Sequence, residues 1–190
     1  MKNLILIIGA PGSGKTTVSG LLREKYPQKI AHYSTGDLLR AEAKSGSELG
    51  EIISKRINTG ELVPVEVAID TIAKAIKKSD KDMILIDGIP RSMEQLFALE
   101  SMLEKNSDIS LKSVIEVVVS KEVALQRVLG RNRGDDDKVE VFKHRMRVYE
   151  EPLKGIEEFY SRKNLLVKID GSKELDEVIN DMERIISEFL

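Results

Sequence analysis

The run Gly9-Ala10-Pro11-Gly12-Ser13-Gly14-Lys15-Thr16 has the spacing GxxxxGK followed by a hydroxyl residue. Glycine lets a backbone curl until successive N–H groups converge on one point, and a helix starting there adds the positive end of its dipole. That combination suits phosphate oxygens. Lys15 would add a mobile charge at the β- and γ-phosphates of a nucleoside triphosphate, and Thr16 a hydroxyl at the position that commonly meets magnesium. A second constellation starts at Ile84, where ILIDGIPR leads on to Gln95. Asp87 there ends an apolar run and could hold magnesium-bound waters; the bland alternative is an aspartate capping the next helix. A third lies between Arg127 and Arg147, where five arginines surround a short acidic run. In a helix Arg127 and Arg131 share one face while Leu125, Val128 and Leu129 lie toward another, so the helix could be anchored with its guanidinium groups toward phosphate.

Positioning such groups requires a scaffold, and the apolar pattern supplies one. Leu4–Ile8, Ile30–Tyr33, Met83–Ile86, Val114–Val119 and Leu166–Ile169 read as strands. Several are almost continuous in Ile, Leu and Val, as parallel strands are when helices cover both faces. Between them, Gly14–Lys25, Val65–Lys77, Met93–Glu104, Val123–Leu129 and Leu175–Phe189 have helical spacing, and the alternation predicts an α/β sheet. The breaks at 78–82 and 106–110 are short and polar, so they read as turns. The cradle therefore follows the first strand and opens a helix, the context its chemistry requires.

Composition narrows the function classes. The chain has 190 residues, 41% of them hydrophobic, which fits one domain with one substantial core. A net charge of -2 gives no general attraction for nucleic acid. Without cysteine there is no disulfide or thiolate zinc site, and the two histidines, His32 and His144, read as ordinary local residues. The N-terminal apolar run is far shorter than the ~20 residues of a membrane helix and lacks a signal cleavage site, so no membrane association and a cytoplasmic location are expected.

Taken together, GAPGSGK, STGDLLR at 34–40, GELVP at Gly60–Pro64, DGIPR with Gln95, the arginines at 127, 131, 133 and 145, and IDGS at Ile169–Ser172 occur in one order. In that order they resemble the nucleoside monophosphate kinases, and among them the adenylate kinase family, over nearly the whole chain. The resemblance implies the P-loop NTPase fold, a five-stranded parallel sheet of order 2-3-1-4-5. It implies reversible phosphoryl transfer from Mg-ATP to AMP giving two ADP, a role in adenine nucleotide homeostasis, and a monomer without structural zinc. ATP would be held by Gly12, Ser13, Gly14, Lys15, Thr16, Thr17, Arg127, Arg131 and the backbone near Ser172 and Lys173. AMP would be held by Thr35, Arg40, Val63, Gly88, Arg91, Gln95, Arg133 and Arg145. Lys15, Arg91, Arg127, Arg133 and Arg145 would be catalytic, with Asp136 and Asp137 pairing to the arginines, and Thr16 and Asp87, the latter through water, would serve the metal. Arg147 has no counterpart. Residues 34–64 would form an AMP flap and 131–137 a vestigial lid, within a single domain spanning 1–190.

The chain departs from that pattern twice. Thr16 stands directly after Lys15, where glycine is frequent, and Thr17 follows it, which leaves two hydroxyls to share the magnesium and α-phosphate positions. Only Asn132, Arg133 and Gly134 separate Arg131 from the acidic run, a lid shorter than the usual short form. A UMP/CMP kinase is the nearest rival, and Thr35 with Gln95 favours AMP over it. A non-enzymatic nucleotide switch fits less well, since it needs neither DGIPR nor a second set of phosphate-binding arginines. Transfer to an AMP oxygen requires no general base, because that oxygen is ionised near neutral pH, and charge neutralisation with in-line placement suffices.

Overall fold

Leu4, Ile5, Leu6 and Ile7 succeed one another without alternation, and in the computed structural model all four are fully buried in β1 (Lys2–Gly9). The structure describes residues 1–131 and 138–190. A strand apolar on both sides needs cover on both faces. Ile5 and Ile7 pack toward α1 (Lys15–Lys25) and α8 (Leu175–Ile186), which a 3-10 turn at Ser187–Phe189 follows. Leu4, Leu6 and Ile8 pack on the other face with α4 (Val65–Lys78), α5 (Met93–Glu104) and the far end of α7 (Val139–Arg162). With β2 (Ile30–Ser34), β3 (Met83–Asp87), β4 (Ile109–Val118) and β5 (Leu166–Asp170), β1 forms a parallel sheet in the order β2-β3-β1-β4-β5, as expected.

Several boundaries differ from the sequence expectation. β4 starts at Ile109, not Val114, so Ile109 and Ser110 are strand residues paired with Lys2 and Asn3, not part of a turn. The polar stretch hid this, and the register shift between Leu4 and Ile5, which skips Lys112, breaks the alternation. Three helices lie outside the five segments with helical spacing. α3 (Glu48–Thr59) is bounded by a Ser47 cap, whose hydroxyl accepts from Gly50 N at 2.9 Å, and by left-handed Gly60. α7 runs through Pro152, a residue that ordinarily reads as a helix stop. α2 (Thr35–Ala43) begins at a Ser34 cap, and α6 (Lys121–Gly130) at a Ser120 cap, two residues before its expected start at Val123. On α6 Val128 is buried, but Leu129, expected beside it, is about half exposed.

β1 lies between β3 and β4, and the connection after β1 leads toward β2 at one side of the sheet, whereas those after β3 and β4 lead toward the other. In an open α/β sheet the crevice beyond the strand ends at such a point is where ligands bind. All three sequence constellations converge there.

Candidate active site

The loop after β1 is shaped by glycine. Gly12 has φ +85°, and a Cβ at that position would meet the Ala124 carbonyl oxygen of α6 at 2.3 Å. Only glycine permits both the turn and the approach of α6. Gly14, also left-handed, caps α1 without a side-chain hydrogen bond, so the first N–H groups of the helix remain available to an anion. Within the cradle Ser13 is buried and its hydroxyl has no hydrogen-bond partner among the described residues, a costly arrangement that a phosphate oxygen would relieve. Lys15 is 9% exposed and its Nζ donates to the Ala10 carbonyl at 3.0 Å. Burial first, then the charges of Arg91, Arg145 and Arg131, bring its pKa from 10.5 down to about 7, while Asp87 works against them. A bound polyanion would return that proton affinity.

Asp87 ends β3 almost fully buried, and it is not a helix cap. Its Oδ1 accepts from Thr16 Oγ1 at 3.2 Å, and its Oδ2 lies 2.7 Å from His32 Nε2. Burial alone would push this carboxyl up; the hydrogen bond from His32, the charge of Lys15 and the Thr16 hydroxyl together hold it below its ordinary value. An ionised carboxylate only accepts, so Nε2 of His32 donates. The sequence reading treated His32 as an ordinary residue. Its pairing becomes visible only with the β2–β3 register, which sets His32 opposite Leu85 and one diagonal step from Asp87. Of the two neighbouring threonines, Thr16 turns its hydroxyl to Asp87, whereas Thr17 is exposed on the cleft wall.

No group of three or more His, Cys, Asp or Glu side chains able to hold a metal occurs among the described residues. A hydroxyl and one ionised carboxylate side by side nevertheless fit magnesium, which keeps most of its waters and takes its remaining oxygens from nucleotide phosphates.

Opposite the cradle, the start of α2 and the loop after β3 form a second wall. Thr35 is 4% exposed and its hydroxyl is likewise without a partner among the described residues. Arg40 is held by Asp37, Nη2 to Oδ1 at 2.5 Å. Arg91 donates from Nε to the Gly88 carbonyl at 2.7 Å, and its backbone N–H donates to Gln95 Oε1 at 2.8 Å. With its oxygen so used, buried Gln95 presents its NH2 end as a donor. Val63, 7% exposed, lines the same wall.

A third side comes from α6, α7 and the turn after β5. Arg127 Nη1 donates to the Gly171 carbonyl at 2.9 Å and to that of Ser13 at 3.3 Å, bridging the cradle to that turn. Arg131, Arg145 and Lys173 line the cleft beside it, Lys173 with its Nζ 2.7 Å from Asp181. The cleft, about 450 Å³, thus brings together the described residues expected at the site, Ser172 excepted. Arg133, Asp136 and Asp137, and with them the expected lid beyond Arg131, lie outside the described residues. Arg147 is exposed and is not among the cleft-lining residues. No helix of the described residues is long and apolar enough to cross a membrane.

Comparison with known proteins places this cleft in context. The family model described as "Adenylate kinase" matches residues 7–165. A curated protein named "Adenylate kinase" from Nautilia profundicola is 58% identical over 188 residues, covering 99% of this chain and 98% of its own length. One of the same name from Nitratiruptor sp. is 58% identical, covering 98% of this chain and 96% of its own, and one from Helicobacter pylori is 51% identical over 100% and 99%.

Proposed function

The chain belongs to the adenylate kinase family and is an enzyme transferring a phosphoryl group between ATP and AMP, and from that premise we propose how its residues divide the work. The observation that carries the reading is that one cleft is lined both by the Gly12–Thr16 cradle and by a further cationic set, Arg40 and Arg91 with Thr35, which suits a second phosphate. A hydrolase or a switch needs only the first.

ATP lies with its phosphates on the cradle N–H groups and Lys15, and its base toward Lys173 and the turn at Gly171. AMP lies against Thr35, Arg40 and Arg91, with its base at Gln95 and Val63. Arginine suits the acceptor side because its planar fork holds a phosphate through paired hydrogen bonds. Thr16 and, through water, Asp87 would hold the magnesium that accompanies ATP, which would supply charge neutralisation at the phosphates. His32 keeps Asp87 oriented and ionised. Lys15, Arg91, Arg127, Arg131 and Arg145 then surround the group in transit, offsetting the repulsion between two polyanions and fixing an in-line approach. Arg133 joins this set by its position in the sequence. The enzyme works as a cytoplasmic monomer, without structural zinc, with residues 34–64 as acceptor flap and 131–137 as a reduced lid.

An acceptor panel tests this reading: Mg-ATP is offered with AMP, CMP, UMP or GMP singly and nucleoside diphosphate formation is followed. AMP should be preferred. Preference for CMP or UMP would overturn the roles of Thr35 and Gln95, and hydrolysis without transfer would overturn the second wall.

A further inference from the structure

Along α7, Arg145, Tyr149, Leu153, Ile156 and Tyr160 recur at three- and four-residue intervals and so form one stripe. Tyr160 is fully buried under the sheet, while Arg145, Tyr149 and Leu153 line a small space beside Gly9, Lys15 and Arg91. The helix therefore has one end fixed in the core and the other at the phosphates. Pro152 lies between them. Lacking an N–H, it removes the backbone bond to the carbonyl four residues earlier, at Val148, a common cause of bending. The backbone link between the half carrying Arg145 and the half carrying Tyr160 is therefore short of one hydrogen bond.

Side chains span the gap. Tyr149 donates its hydroxyl to Glu116 Oε1 at 3.2 Å. Glu116, its side chain 3% exposed, sits on β4 in register with Ile8, next to the first glycine of the cradle. Its Oε2 lies 3.1 Å from Lys168 Nζ on the adjoining β5, and Lys168 reaches Glu157, beyond the proline, at 2.6 Å. Both halves of α7 are in this way tied to the same two strands. Lys168 is about half exposed, so its pair with Glu157 contributes little, whereas the Tyr149–Glu116 bond is largely shielded. Burial and the neighbouring Glu116 charge push the Tyr149 hydroxyl well above its ordinary range, which keeps it a donor. Its ring packs against the cluster of Ala10, Ala124, Val128, Phe142 and Met146, which joins the cradle to α6 and α7.

We propose that Tyr149 is a positioning residue: bonded to Glu116, it fixes the cleft-side half of α7 across the Pro152 gap and thereby sets Arg145 against the transferring phosphoryl group. This rests on the assignment of Arg145 to the phosphates.

A double-mutant cycle with Tyr149→Phe and Arg145→Ala separates the two. Tyr149→Phe keeps the ring and its packing. It should lower kcat about tenfold, the scale of a small misplacement of a catalytic group, with KM for ATP and AMP within about twofold. In the Arg145→Ala background the same change should leave kcat unaltered while still lowering the urea midpoint, because the stabilising part of the bond persists there. An equal proportional fall in kcat in both backgrounds, or no fall in either, would overturn the proposal. Undiminished kcat in Arg145→Ala alone would overturn the assignment of Arg145, whatever Tyr149→Phe does. Glu116→Gln keeps an acceptor oxygen for Tyr149 and should retain kcat within about threefold, whereas Glu116→Leu should fall with Tyr149→Phe. Equal losses in the two Glu116 variants would also count against the proposal.

Discussion

Replacing Lys15 by methionine should abolish phosphoryl transfer and, at the same time, stabilise the ligand-free protein. Lys15 is charged when the chain is unfolded, with a pKa of 10.5, but in the empty cleft burial and three arginines bring that to about 7. At about 1.4 kcal/mol per pH unit, the separation corresponds to a cost of about 5 kcal/mol for holding the charge in the folded state. Water in the cleft lessens this, and methionine gives up the hydrogen bond to the Ala10 carbonyl, worth about 1 kcal/mol. A net gain of about 1–3 kcal/mol at neutral pH remains, or about 2–4 °C in Tm for each kcal/mol in a domain of this size. The sign follows from linkage. Below pH 7 both states hold the proton and the full cost is present. Between pH 7 and 10.5 the unfolded chain binds more protons than the folded one, so the cost shrinks as pH rises. Urea unfolding of both ligand-free proteins near pH 6, 7 and 9 reads this directly: the advantage of Lys15→Met should be largest at the two lower values and smaller near pH 9. A methionine variant less stable than the parent at pH 7, or an advantage that does not change with pH, would refute the reasoning.

Gly12→Ala should lower Tm by at least about 4 °C, since left-handed backbone costs a non-glycine residue roughly 1–3 kcal/mol and the added Cβ would also push α6 away; differential scanning calorimetry checks it. Arg91→Lys should raise the AMP KM and lower kcat by tenfold or more, about 1.4 kcal/mol, because lysine cannot reproduce both the anchor on Gly88 and a forked phosphate contact; steady-state kinetics would show it, and near-parent values would count against the acceptor wall. His32→Leu should remove the donor that helps keep Asp87 ionised and lower the urea midpoint by the equivalent of about 1–3 kcal/mol, with weaker binding of a fluorescent ATP analogue in the presence of magnesium than in its absence. With only Asn132–Gly134 between Arg131 and the acidic run, ATP hydrolysis without AMP should be measurable by phosphate release; turnover indistinguishable from background would contradict the idea that a reduced lid shields water less well.

The cradle was legible because its function depends on backbone: glycine spacing at Gly12 and Gly14, a lysine and a helix start are all written in consecutive residues. Asp87 could be singled out because it ends an apolar run, whereas the roles of Arg91 and Gln95 came only from the resemblance. The strand order came from resemblance, and the start of β4 was misjudged because Ser110 and Lys112 interrupt an apolar strand at its half-buried first residues. Pro152 concealed α7, since a proline tolerated inside a helix leaves the same local signal as one that stops it. His32, Tyr149 and Glu116 could not be found from spacing. His32 meets Asp87 across 55 positions of sequence and Tyr149 meets Glu116 across 33, and each pairing exists only once the register of strands, or of helix on strand, is set.

The central claim is direct passage of a phosphoryl group between two nucleotides held in one cleft. Incubating the enzyme with ATP labelled at the γ-phosphate and unlabelled AMP, then separating the products after a few turnovers, tests it most directly. The label should appear in the β-phosphate of ADP, with little in inorganic phosphate. Label accumulating as inorganic phosphate, or retained on the protein, would contradict it.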